Sequence, residues 1–220
     1  MEIVENGIVY RTVNNEIMVV GYDKTQPLPA VLNIPETVQG LRVSCVNSYA
    51  FFETPITELI LPGTISVIEE RAFANCYNLK RVKIRHNEAY KFHPMFFKIK
   101  TFVCCENLTE VIGGVKEIIV GRRVFDDCIS LKKLDALIRE ADICAFEGSS
   151  LETIHLCNNG FLNPDSLWWA DTLKNIIFDG DGHIHESNLF RIKNNQIKII
   201  CPSSSNLAEL TYEGYDIEII

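Results

Sequence analysis

Apolar and polar positions along this chain fall into a recurring block. Val43-Ser-Cys-Val46-Asn-Ser-Tyr-Ala50-Phe51 and Ile65-Ser-Val-Ile68-Glu-Glu-Arg-Ala72-Phe73 both carry apolar residues at their first, fourth, eighth and ninth places. Decayed copies close on Val124-Phe125 and on Ala145-Phe146. Taking the large apolar residue of each block as a marker gives Phe51, Phe73, Phe97, Phe125, Phe146, Leu167 and Leu189, spaced by 22, 24, 28, 21, 21 and 22 residues. A period this narrow is what stacked structural units leave in a sequence.

A second pattern follows the markers: Leu79-x-x-Val82-x-Ile84, Leu108-x-x-Val111, Leu131-x-x-Leu134-x-Ala136, Leu151-x-x-Ile154-x-Leu156 and Leu173-x-x-Ile176-x-Phe178. Alternation over the last places predicts a short strand with one face buried. Leu32-x-Ile34 and Leu59-x-Leu61 are earlier copies, followed by Pro35 and Pro62. Proline fits at a strand end, where its missing N–H costs no ladder bond. Each unit then reads strand, turn, apolar return segment, short helical turn. About 22 residues cannot bury their own apolar face, but stacked units can, strand on strand and marker on marker. A β-sandwich is the alternative and needs hairpin turns. Asn-Gly occurs only at Asn6-Gly7 and Asn159-Gly160, which disfavours it.

Residues 65–84 supply Ile65, Ile68, Ala72, Phe73, Cys76, Leu79, Val82 and Ile84, and residues 120–134 supply Gly121, Phe125, Cys128, Leu131 and Leu134. In that order and spacing they resemble the BspA-like, or Treponema pallidum-type, leucine-rich repeat. The opening, from Glu5-Asn6-Gly7 through Val19-Val20-Gly21-Tyr22 to Ile34-Pro35, resembles the N-terminal cap of that family. The likeness runs over roughly residues 5–200. It implies an α/β fold: a right-handed leucine-rich-repeat solenoid of about seven repeats with a parallel concave sheet. The expected organisation is an N-terminal β cap over 1–30, repeats over 31–201 and a C-terminal cap over 202–220. In that last segment Ser203-Ser204-Ser205 makes a turn and Tyr215–Ile219 a final strand. Secreted members of the family are associated with adhesion to host or matrix proteins.

Charge narrows the partners. With 21 Lys and Arg against 29 Asp and Glu, the chain carries −8, which argues against non-specific binding to nucleic acid or to an anionic membrane. No apolar run approaches the ~18 residues of a membrane span. Met1-Glu2-Ile3-Val4-Glu5 lacks the basic and apolar regions of a signal peptide, so the expected location is cytoplasmic. The alternative is a secreted or surface protein whose export signal was removed. The eight cysteines bear on this choice. A chain of this size buries a core without disulfides. Cys76 and Cys128 follow their markers by three residues, a place that Ala170 also takes, so it reads as a small buried site holding inert thiols. Two rungs of about 4.8 Å would part this pair by roughly 10 Å, beyond disulfide reach. Cys104-Cys105 reads as one thiol in and one out. Reduced cysteines fit the cytoplasm.

Chemistry-bearing motifs are sparse. The sequence has no P-loop, dinucleotide-binding glycine turn, His-Glu-x-x-His or Gly-x-Ser-x-Gly. The segment Asp179-Gly-Asp181-Gly-His183-Ile-His185-Glu186 holds four metal-capable side chains, and a metal-dependent enzyme there is the minor alternative. The favoured reading is a polar turn with His183 and His185 on either side of a buried Ile184. His155 and Cys157 face the same way along one strand but lack an orienting third group. The expectation is therefore no enzyme: no catalytic residue, no metal and no cofactor.

Surfaces remain. The middle residue of each strand faces away from the core, giving the column Asn33, Ile60, Lys83, Ile112, Asp135, His155, Ile177 and Lys198. Arg81, Lys83 and Arg85 form a local basic cluster there, a candidate anchor for an acidic partner. On the opposite, convex side the residues after the markers run Phe52, Ala74, Lys98, Asp126, Glu147, Trp168 and Phe190. Trp168, Trp169 and Phe190 are candidate partner-binding residues, and repeat spacing predicts Trp168 and Phe190 about 5 Å apart. The expected function is a non-enzymatic protein–protein interaction module: the partner is another protein, not nucleic acid or membrane.

Overall fold

The computed structural model describes residues 2–91 and 93–220, except for the side chains of 211–213. Met1, the first residue of the expected cap, lies outside them. Val31–Asn33, Glu58–Leu61, Arg81–Ile84 and the first halves of Glu110–Val120 and Lys133–Ala141 pair in parallel, rung on rung. Thr153–Leu162, Asn175–Phe178, Lys198–Cys201 and Ile217–Ile219 carry this first face onward. A second parallel face runs through residues 17–19, 45–46, Val67–Ile68, Met95–Phe97, the second halves of the three long strands and Gly182–Ile184. The long strands pass from one face to the other through register shifts such as that between Gly114 and Glu117. The result is a mostly-sheet solenoid of about 8 turns.

Each column of the core follows from the alternation. Leu32, Leu59, Val82, Val111, Ile154, Ile176 and Ile199 are buried from the first face, and Val19, Val46, Ile68, Phe97, Val120, Ala141 and Leu162 from the second. The third side consists of turns, whose marker rings stack. Successive centroids are 5.4 Å apart for Phe51–Phe73, 5.6 Å for Phe73–Phe102, 5.8 Å for Phe102–Phe125 and 6.4 Å for Phe125–Phe146. Leu167 continues the buried column.

Phe97 is therefore not the third marker; Phe102 is. Phe97 sits in the second face, paired with Ile68 and Val120, and meets Phe102 edge-on at 5.4 Å. Extra chain in this repeat follows the strand Arg81–Ile84, so a count at a constant period reaches the marker too early. Lys116 holds the added loop. Only 4% exposed, its ammonium donates to the carbonyls of Gly63 (3.1 Å), Tyr90 (3.0 Å) and His93 (2.6 Å).

Most units close through turns rather than short helices. In six successive turns the residues two before and two after the marker are left-handed: Tyr49 and Glu53, Arg71 and Asn75, Lys100 and Cys104, Arg123 and Asp127, Cys144 and Gly148, Asp165 and Trp169. The α-helix Glu186–Asn194 replaces the next such turn. Within it Leu189, the expected seventh marker, is only partly buried, while Asn188 goes inside and donates to Asn163 O at 2.7 Å. Gly121 is not a left-handed position. A Cβ there would lie 2.6 Å from Phe97 O, which is why glycine suits it. Glu69 and Asp142, at the equivalent place, make the same backbone bond to the previous turn at 2.9 Å.

The ends are built differently. Glu2–Glu5, Ile8–Val13 and Glu16–Tyr22 form an antiparallel meander whose last strand joins the second face. The final strand, Ile217–Ile219, is shorter than the sequence reading and adds one parallel rung beside Lys198–Cys201.

All eight cysteines are free thiols. Cys105 lies between Cys76 and Cys128 as the third member of one ladder. Cys76 Sγ donates to Phe51 O (3.2 Å), Cys105 Sγ to Phe73 O (3.2 Å) and Cys128 Sγ to Phe102 O (3.1 Å). Cys104 is the half-exposed partner of buried Cys105, as the sequence pattern predicts.

Candidate interaction surfaces

On the first face the strand register fixes which residues stand together. His155 pairs with Ile177, and Ile177 with Ile200, so Ile200 occupies the place expected for Lys198. Lys198 lies one column over, beside Asn175. Arg81 stands between two acids: its Nε is 2.5 Å from Glu110 Oε1 and its Nη1 4.0 Å from Glu58 Oε2. Arg85 donates to Asn33 Oδ1 at 2.7 Å. Lys83 is exposed. The predicted basic cluster is thus brought together but largely compensated, because the strand columns alternate in charge across the rungs.

Among the described residues, no ladder pair joins 133–136 to 153–155. The opening is lined by Lys132, Lys133, Leu134, Asp135, Thr153, His155 and Ile177. His155 Nε2 lies 2.6 Å from Asp179 Oδ1, an orienting partner that the sequence did not point to. Cys157 is buried, and burial pushes its thiol up, away from the thiolate a nucleophile needs.

The Asp179–Glu186 side chains are drawn to separate tasks. Asp179 takes His155, and Asp181 Oδ1 accepts the Asn206 N–H at 2.9 Å. His183 stacks on Phe161 with centroids 4.5 Å apart. His185 caps the helix Glu186–Asn194, its side chain accepting from Ser187 N. Ile184 is buried between the two histidines, exposed His183 and half-buried His185.

The turn side carries the largest apolar exposure. Trp168 is 46% exposed, Trp169 51% and Phe190 73%. The two indoles meet edge to face, centroids 5.8 Å apart at 87°. Among the described residues no ring contact joins Trp168 to Phe190. The predicted pairing fails because the helix Glu186–Asn194 re-aims Phe190. Instead the Arg191 guanidinium lies over the Trp168 ring, 5.9 Å from its centroid, and pairs with Asp171. Val103, not Lys98, belongs to this side after the shift of marker to Phe102.

Beside the indoles lies an acidic group. Gly148 N–H donates to Trp169 O, and Asp127 N–H to Glu147 O, so these turns are consecutive rungs. Arg123 reaches Asp126 Oδ2 at 3.2 Å and Glu147 Oε2 at 3.4 Å. Burial, then the nearby Glu147 and Asp127 carboxylates, push Asp126 above the usual aspartate range; Arg123 opposes this only in part. Glu147 Oε2 is shielded from solvent and makes no hydrogen bond beyond its 3.4 Å ion pair with Arg123. Sequence reasoning found the tryptophans but missed the left-handed backbone at Trp169 and the sharing of Arg123 by Asp126 and Glu147. Both arise from how turns stack.

The family description "BspA type Leucine rich repeat region" matches the chain in six copies, over residues 32–111 and 96–215. Among curated proteins none matches the sequence. A leucine-rich repeat protein from Bacteroides capillosus is similar in structure, with a TM-score of 0.51 and 20% identity over 61% of this chain and 97% of that one. A leucine rich cell surface protein from Faecalibacterium prausnitzii has a TM-score of 0.53 and 20% identity, over 81% of this chain and 54% of that one. At these identities the likeness concerns the fold. The molecule is a repeat-protein scaffold.

Proposed function

The chain belongs to the BspA-type leucine-rich repeat family, and from that premise we propose that it works as a non-enzymatic protein-interaction module whose contact surface is the turn edge bearing Trp168, Trp169 and Phe190. One observation carries this reading. At the place two residues after the marker, the other turns use Glu53, Asn75, Cys104, Asp127 and Gly148, whereas the sixth uses Trp169 at φ 61°. A bulky side chain in the left-handed region costs backbone energy, and half-exposing an indole forfeits its burial. Two adjacent, half-exposed indoles, one of them on left-handed backbone, are the marks of a binding surface. The stacked turns beneath hold that surface rigid, which lowers the ordering cost of association.

The basic cluster at Arg81, Lys83 and Arg85 is the secondary surface, because Glu58, Glu110 and Asn33 already engage two of its three members. We place the protein's work in a reducing compartment. The Cys76, Cys105 and Cys128 thiols serve as donors to buried carbonyls, and a disulfide would remove those donors. Affinity capture from the source organism tests the interaction. A protein retained by the native chain and lost with Trp168→Ala/Trp169→Ala supports the turn edge. Equal retention by both, or loss only with Lys83→Ala, overturns it. Thiol trapping of the native protein tests the compartment: fewer than eight free thiols would contradict it.

A further inference from the structure

We infer that the turn edge takes a cationic partner segment, one that sets a lysine or arginine side chain against Glu147 and Asp127 beside the Trp168–Trp169 pair. This rests on the reading that the turn edge is the contact surface, and it adds the partner's chemistry. Three observations converge. First, the buried side-chain oxygens and nitrogens without hydrogen-bond partners among the described residues are Glu147 Oε2, Ser149 Oγ and Arg191 Nε, all within the turns around Trp168. Ser149 belongs to the interior ladder, at the place Cys128 takes one turn earlier. Glu147 and Arg191 flank the indole. Glu147 Oε2 meets only the Arg123 guanidinium, at 3.4 Å, so a cation at the exposed side of this carboxylate would add the compensation that the shared ion pair leaves incomplete.

Second, charge is unbalanced at this point. Asp126 and Glu147 share one guanidinium, Arg123, and among the described residues no ion pair joins Asp127, which stands beside them. That leaves 1 − 3 = −2 over these four side chains, and the Glu147 and Asp127 charges add to burial, the larger cause, in raising the Asp126 carboxyl. The asymmetry extends along the solenoid. The margin before the markers is mixed, with Arg71, Lys100, Arg122 and Arg123 beside Glu70, Asp142 and Asp165, while the margin after them is acidic, with Glu53, Glu106, Asp127 and Glu147. A cationic segment would therefore run along the later margin, where the tryptophans also stand. Third, the Trp168 ring already accepts a cation, since Arg191 lies over it. Trp169, half exposed, offers a second indole beside the acidic group.

Trp168 and Trp169 are the chain's two tryptophans, so intrinsic indole fluorescence reports on this site alone. The test titrates the full chain with tetra-arginine amide, and with tetra-glutamate as the opposite probe, while following that fluorescence. The expected result is a saturable change with tetra-arginine that weakens with salt, and none with tetra-glutamate. Glu147→Gln/Asp127→Asn should weaken the arginine probe about tenfold. Glu5→Gln/Asp216→Asn removes the same charge elsewhere and should leave it within twofold. Equal weakening by both pairs would reduce the effect to net charge and overturn the inference, as would equal binding of tetra-glutamate or no fluorescence change. Thermal melts confirm that each near-isosteric variant folds. A natural partner lost with the tryptophan variant but retained by Glu147→Gln/Asp127→Asn would sink the cationic assignment while leaving the turn edge standing.

Discussion

Phe73 lies face to face with Phe102, centroids 5.6 Å apart and planes within 13°, although the longest repeat of the chain separates them. The stack is continuous through the irregular repeat because the added residues loop out beyond the strand Arg81–Ile84 rather than entering the core. Phe102 also meets Phe97 edge-on and Phe125 face-on. Phe102→Ala should therefore cost about 3–5 kcal/mol, as should Phe73→Ala, through a cavity the neighbouring rings cannot close. Urea unfolding followed by circular dichroism measures this. A midpoint unchanged by Phe102→Ala would contradict the register.

Lys116 binds the added loop to the solenoid through three carbonyls. Lys116→Met keeps the stem's volume and removes the donors, leaving Gly63, Tyr90 and His93 carbonyls unsatisfied. Amide exchange in residues 87–91 should then quicken well before global unfolding, with a loss of about 1–3 kcal/mol in stability. Unchanged protection in that loop would show that other contacts hold it.

Maleimide labelling of the folded chain should rank the thiols by access and ionisation. Burial pushes Cys45 up to about 11 and raises Cys104, so both react slowly at neutral pH, yet both are half-exposed. Cys105 and Cys128 are buried and pushed further up. Mass spectrometry over time should show Cys45 and Cys104 modified first and the ladder only on unfolding. Early labelling of Cys128 would contradict the packing.

Asp126 gives the pH dependence. Its folded-state affinity for a proton exceeds that of the unfolded chain, so the folded state holds more protons from the ordinary aspartate range upward. Its contribution to stability thus falls as pH rises through that window. Asp126→Asn should raise the neutral-pH melting temperature and remove that part of the decline. A lower melting temperature would mean that the Asp126–Arg123 contact outweighs the repulsion.

The solenoid was legible because its unit repeats. Alternation in Leu59-x-Leu61 or Ile176-x-Phe178 marks a strand, and Phe51 and Phe73 recur with their neighbours. The reading failed where position depends on what stacks beneath. Phe97 and Phe102 are both large, apolar and near the expected spacing, and only the length of the loop decides between them. Lys116 looks like a surface lysine until the loop folds over it. Trp168 and Trp169 stood out as unusual residues in a turn. Their contact, the left-handed backbone of Trp169 and the Arg123 guanidinium shared by Asp126 and Glu147 follow from neighbouring turns separated by about 20 residues.

Site-specific photo-cross-linking tests the central claim, that the turn edge and not a strand face meets the partner. A benzophenone side chain would replace Phe190 on the turn edge in one variant and exposed Lys83 on the first face in another. Both substitutions fall on exposed positions, so the fold should tolerate them. Irradiation in extract of the source organism should give a specific adduct from position 190 that disappears with Trp168→Ala/Trp169→Ala. A specific adduct from position 83 with none from position 190 would contradict it.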